Sequence, residues 1–129
     1  MSAYAFGKTV TGDPAAVRQR TIDALAGVGF GVLTEIDVQA TMKKKIDLDM
    51  PPYWILGACN PRVASQAIAA EPGIGALLPC NVVVRQDTAG SVQVEVMDPQ
   101  AVLGLVGNPG VMPLAGEVRA LLEKALAAV

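Results

Sequence analysis

Phe30-Gly31-Val32-Leu33-Thr34-Glu35-Ile36-Asp37-Val38 is the stretch from which the fold can be read. Phe30, Val32, Thr34, Ile36 and Val38 share one parity; Gly31, Leu33, Glu35 and Asp37 share the other. A period of two places alternate side chains on opposite faces of an extended chain, so this is a strand with one buried face. Toward the C-terminus, Met42, Lys44, Ile46 and Leu48 continue the alternation and predict a further strand. Pro51-Pro52 breaks it. Tyr53 to Ala58 is then a nearly continuous apolar run, as expected of a strand inside a sheet.

Cys59-Asn60-Pro61 ends that run and opens a helix, with Asn60 as its cap and Pro61 in its first turn. Val63, Ala64, Ala67 and Ile68 form its apolar face, and Glu71-Pro72-Gly73 stops it. Cys80 to Arg85 and Ser91 to Met97 read as paired strands around the hairpin loop Asp87-Thr88-Ala89-Gly90. Asp98-Pro99 starts a short helix through Val102, Leu103 and Val106, and Gly107-Asn108-Pro109 reverses the chain. A last helix from near Pro113 carries the stripe Leu114, Val118, Leu121, Leu122, Ala125 and Val129.

Toward the N-terminus, Asp13-Pro14 opens a helix that runs to Ala26. Before it, Tyr4, Phe6, Lys8 and Val10 form a first strand. The predicted order is β-α-β-β-β-α-β-β-α-α. Short connections between successive strands favour antiparallel pairing, so the expectation is an α+β fold: a mainly antiparallel sheet with helices on one face. Val32, Ile36, Ile55, Val82, Val84, Val94, Leu121 and Leu122 are its predicted core. The 129 residues suit one domain spanning 1–129.

Composition narrows the function classes. The chain has no histidine, which removes Ser-His-Asp and Cys-His catalysis and every His-ligated metal site. Net charge is −2 with a pI near 5.0, and aromatics are 4%, so the basic and stacking surface of a nucleic-acid binder is missing. The longest uncharged stretch, Pro99 to Gly116, is interrupted by glycines and prolines and makes a poor membrane span; no membrane partner is expected. Without a signal-peptide pattern, the expectation is a cytoplasmic protein with reduced thiols. Apolar residues reach 52% and mean hydropathy is +0.43, an aliphatic surplus that suits a surface covered in a homodimer.

Five segments recur in a recognisable order: Gly29-Phe30-Gly31-Val32-Leu33-Thr34-Glu35, Lys43-Lys44-Lys45, Cys59-Asn60-Pro61, Leu77-Leu78-Pro79-Cys80-Asn81-Val82 and Gly107-Asn108-Pro109. Together they resemble the bacterial and archaeal family called domain of unknown function 302, over nearly the whole chain. That resemblance implies an α+β fold of the TBP-like kind and a tendency to dimerise. It implies no reaction and no catalytic residue.

The candidate ligand-binding residues are Cys59, Asn60, Arg62, Cys80 and Lys44. Cys59 directly precedes a helix start, where free N–H groups and the helix dipole favour negative charge, and Arg62 adds a cation in the same turn. Cys59 is therefore expected to be the more reactive thiol, with Cys80 a resolving partner or second ligand; the competing reading makes each a small buried hydrophobe. Lys44 and its neighbours, with Arg62, suggest an anion pocket, against the plainer reading of a solvated strand edge. Glu35, Asp37, Asp47 and Asp49 are solvated carboxylates by default.

No cofactor and no catalytic residue are expected, and any metal would sit on Cys59 and Cys80. The leading expectation is a small dimeric, non-catalytic binding or accessory protein for a small-molecule or anionic ligand. The alternative is a thiol protein handling sulfur, redox equivalents or a soft metal through Cys59 and Cys80. A third is a purely structural module.

Overall fold

A capping residue followed by proline begins a helix at Asp13-Pro14, Asn60-Pro61 and Asp98-Pro99, whereas Asn108-Pro109 begins a turn. The computed structural model describes residues 2–129. Its chain runs β1 (Ala5–Val10), α1 (Pro14–Ala26), β2 (Gly31–Asp37), α2 (Val38–Ile46), β3 (Tyr53–Cys59), α3 (Pro61–Ala70), β4 (Cys80–Gln86), β5 (Val92–Met97), α4 (Pro99–Leu103) and α5 (Met112–Ala127). Short 3₁₀ turns occupy Pro72–Leu77 and Gly104–Val106. Asp13 accepts from the Ala16 amide at 3.1 Å, Asn60 from Val63 at 3.3 Å and Asp98 from Gln100 at 3.0 Å. Each satisfies a donor that the first helical turn would leave free.

The five strands form one antiparallel sheet in the order β1-β5-β4-β3-β2. Burial alternates along β4 and β5: Cys80, Val82, Val84, Val92, Val94 and Val96 are buried, and their neighbours are not. The buried parity faces α1 and α5, which contribute Val17, Leu25, Val118, Leu122 and Ala125 to the same core. A second, smaller core of Ala67, Ile74, Leu103, Val111 and Ala115 lies among α3, α4, α5 and the Pro72–Leu77 turn.

Of the predicted strand at Met42–Leu48, Met42 to Ile46 instead belong to α2, which adjoins β2 directly, and Asp47 and Leu48 follow its end. Asp37 is the reason. Its carboxylate accepts from the Ala40 amide at 2.9 Å, and the Thr41 hydroxyl donates to the Asp37 carbonyl at 2.7 Å. Gln39, Ala40, Met42 and the three lysines then all favour a helix. The apolar spacing Val38, Met42, Ile46 fits a helical face as well as Met42, Lys44, Ile46 fits a strand, and the cap decides between them. Asp47, in the left-handed region at φ 54°, ends the helix. The element order is therefore β-α-β-α-β-α-β-β-α-α.

A second correction concerns Ile36, which is 47% exposed. Val32 pairs with Ala58, whereas Thr34 pairs with Gly57, so the register slips at Leu33. One inserted residue exchanges the faces of everything beyond it. Glu35 now lies on the helix-covered side, paired with Arg18 of α1, while Ile36 joins Ile55 and Val83 in a row across the opposite face. Of the other predicted core residues, Val82, Val84, Val94 and Leu122 are buried; Val32, Ile55 and Leu121 are half-buried.

Candidate functional site

The two cores do not close completely on each other. At their seam, where β3 ends and β4 begins, lies a cavity of about 290 Å³. Ala58, Val63, Cys80 and Val118 from the main core line it, with Ala67 and Leu103 from the smaller one. Phe30, Leu78, Pro79 and Leu114 complete the walls; Leu33 and Ile68, both substantially exposed, stand at its open side. Among the described residues lining it none is charged, and apart from the two thiols Asn60 is the one polar side chain.

Two local features fix the elements around it. Asn108 of the Gly107-Asn108-Pro109 reversal donates from Nδ2 to the Ala70 carbonyl at 3.0 Å and to Glu71 Oε1 at 3.1 Å. It thus ties the end of α3 to the loop preceding α5. Gly107, at φ 69°, takes the left-handed conformation needed to end the preceding turn. At the strand end, a Cβ on Gly57 would sit 2.2 Å from Thr34 Oγ1 and 2.8 Å from Pro79 Cγ. Glycine there lets the Pro79 segment lie against β3.

Both cysteines line the cavity, and neither is in a disulfide. Cys80 is 5% exposed and is the ladder partner of Ala58, the residue before Cys59. Burial, and secondarily the charge of Cys59, pushes the Cys80 thiol up to about 11. Cys59 is half-buried and immediately precedes Asn60, the cap of α3. The helix start expected beside Cys59 is therefore present.

The remaining candidates are arranged otherwise. Arg62 is exposed and paired with Glu117 of α5. Lys44 is exposed on α2, which begins beside Trp54, at the end of β3 away from Cys59. Its neighbour Lys43 bridges Asp47 at 2.8 Å and Asp49 at 3.0 Å, and these carboxylates, Asp47 first, raise its pKa. An anion pocket combining Lys44 with Arg62 is not assembled. Glu35 is engaged by Arg18, and Asp37 caps α2. Among the described residues, no group of three or more His, Cys, Asp or Glu side chains is placed to hold a metal ion.

The sequence reading reached Cys59, Asn60 and Cys80 but not the cavity that joins them. Val63, Ala64, Ala67 and Ile68 read as one buried helix face, and all four line the cavity. A sequence pattern marks a side as apolar; it carries no sign of unfilled volume beside it.

A crystal structure of an uncharacterized conserved protein DUF302 from Bacillus stearothermophilus is similar to this fold throughout. It has a TM-score of 0.90 and 26% sequence identity, over 98% of each chain. No curated protein matches the sequence. With residues 6–129 matched by the family described as "Domain of unknown function DUF302", the chain belongs to that family.

Proposed function

We propose that the chain is a non-catalytic binding protein whose cavity takes one small, uncharged, apolar molecule. The observation that carries this reading is the cavity itself: about 290 Å³, with no charged side chain among its described lining residues. Ligand sites are commonly apolar hollows of roughly this size or larger. An engineered apolar cavity of roughly 150 Å³ accepts benzene, so nearly twice that volume suits a molecule of about two fused rings. A carboxylate or phosphate would enter without a free cation, since Arg62 already pairs with Glu117.

Naphthalene and naphthalene-1-sulfonate form a matched pair of probes that differ in charge. Naphthalene is expected to raise Tm and to shift amide resonances of Ala58, Val63, Ala67 and Leu103; the sulfonate is expected to do neither. At about ten times its Kd a ligand adds about 1.4 kcal/mol of stability. Equal stabilisation by both probes, or by the sulfonate alone, would sink the reading.

We also propose that the protein works as a homodimer in the cytoplasm. The row Ile36, Ile55, Val83 on the less covered sheet face supports the dimer, as does the mean hydropathy of +0.43. Two unpaired cysteines suit a reducing compartment. Among the described residues, no helix is long and apolar enough to cross a membrane. Light scattering should give twice the chain mass for the native protein and a single chain mass for Ile36→Lys. A native monomer at micromolar concentration would refute the assembly.

A further inference from the structure

We propose that the ligand is a single-chain amphiphile: its alkyl chain fills the cavity, and an uncharged polar end stays in water between Leu33 and Ile68. This rests on the reading of the cavity as an apolar ligand site and adds the class of ligand. The hollow has a buried end and an open one. Ala58, Val63, Ala67 and Leu103 are each at most 4% exposed, whereas Leu33 and Ile68, which line the same hollow, are 68% and 46% exposed. A large apolar residue exposed alone needs no explanation. These two carry the apolar lining from the core out to water. Leu33 owes its place to the irregularity in β2: Val32 pairs with Ala58 and Thr34 with Gly57, which leaves Leu33 without a ladder partner. Bulges commonly re-aim a side chain beside a site. β2 is also an edge strand, so the margin of the sheet flanks the opening.

Shape and size select a chain. Val63, Ala64, Ala67 and Ile68 line the hollow from successive turns of α3, and from Val63 to Ile68 the helix rises about 7.5 Å. The hollow is therefore a trough along α3, walled there by the small side chains of Ala64 and Ala67. In proportion to the engineered cavity of roughly 150 Å³ that accepts benzene, about 290 Å³ holds roughly ten to twelve carbons. A chain of that length fills the trough, and its outer methylenes cover Leu33 and Ile68; a molecule contained wholly inside leaves both wet. The end that emerges stands in water, so it is polar. No charged side chain lines the opening to pair with an ionic group, so that end is uncharged. Each methylene moved from water into the hollow should tighten binding about fourfold.

The n-alkyl maltosides are the probes, used below their micelle concentrations, because a disaccharide is too large to follow its chain inside. Dodecyl maltoside should bind at one equivalent in calorimetric titration, exclude naphthalene and shift the amide resonances of Val63 and Ala67; maltose alone should do none of these. From octyl to decyl to dodecyl, affinity should rise about fourfold per methylene. Leu33→Ser and Ile68→Ser, both at exposed positions, should each weaken dodecyl maltoside by about fourfold to tenfold, the worth of one or two methylene contacts, and leave naphthalene affinity within about twofold. Circular dichroism confirms that each variant is folded. Equal losses for the two ligands, or no loss for the maltoside, overturn the proposal. So does dodecyl maltoside binding that leaves naphthalene in place, because the chain then lies elsewhere on the surface. If naphthalene binds and dodecyl maltoside does not, the amphiphile proposal fails while the apolar-site reading stands; if neither binds, both fail.

Discussion

Ala64→Leu separates a ligand cavity from an ordinary core, because it should raise stability while reducing binding. Ala64 lies in the second turn of α3, half-buried, with its side chain lining the cavity. Leucine adds three carbons. At about 0.8 kcal/mol per fully buried methylene, the ceiling is about 2.4 kcal/mol, and half-burial brings the expectation to about 1–2 kcal/mol. Alanine and leucine differ little in helix propensity, so the backbone contributes almost nothing. Unfolding entropy near 2.1 cal/mol/K per residue translates that gain into about 4–7 °C of Tm for a chain of this length. Thermal unfolding followed by circular dichroism reads the first effect. A naphthalene titration reads the second, with affinity expected to fall by about tenfold, equivalent to about 1.4 kcal/mol. A loss of stability above about 1 kcal/mol with undiminished naphthalene affinity would refute the reasoning. It would mean that leucine overpacks a filled wall and that the probe binds elsewhere.

Leu122 is wholly buried and Leu121 is half-buried, so Leu122→Ala should cost about 2–5 kcal/mol and Leu121→Ala about 1 kcal/mol in urea unfolding; the reverse order would mean that α5 presents a different face. Gly57→Ala should destabilise by about 1–3 kcal/mol through its clash with Thr34 and Pro79. Thr34→Ala should recover part of that loss in a double-mutant cycle, and strict additivity would count against the contact. The pKa of Cys80 rises from 9.0 to about 11 on folding, chiefly through burial. Its contribution is therefore complete below pH 9 and lost as pH rises toward 11, because the unfolded chain releases the proton first. The loss is about 2–3 kcal/mol. Wild type minus Cys80→Ala should show this fall in chemical unfolding between those pH values, and a flat difference would place the thiol in water.

Signals within one turn or one strand determined most of the architecture from sequence alone. Asp13-Pro14, Asn60-Pro61 and Asp98-Pro99 each place a side-chain acceptor beside helical N–H groups, so three helix starts were legible. The Asp87 loop was equally local: its carboxylate accepts from Ala89 and Ser91, and Gly90 takes φ 84°. Composition carried the absence of histidine chemistry, and the spaced motifs carried the family resemblance. Tertiary structure decided what depends on partners distant in sequence. The bulge at Leu33 follows from pairing with β3, and it moved Ile36 to the opposite face although its spacing from Val32 is that of a regular strand. Met42 to Ile46 fits two periods; packing against β2 and β3 favoured the helix, together with the Asp37 cap, a local signal hidden within the alternation of β2. That Cys59 and Cys80 line one cavity follows from β3 and β4 being neighbours, with Ala58 opposite Cys80. The cavity beside them is a volume left between two cores, and volume is set by how separate elements pack rather than by any one residue's preference.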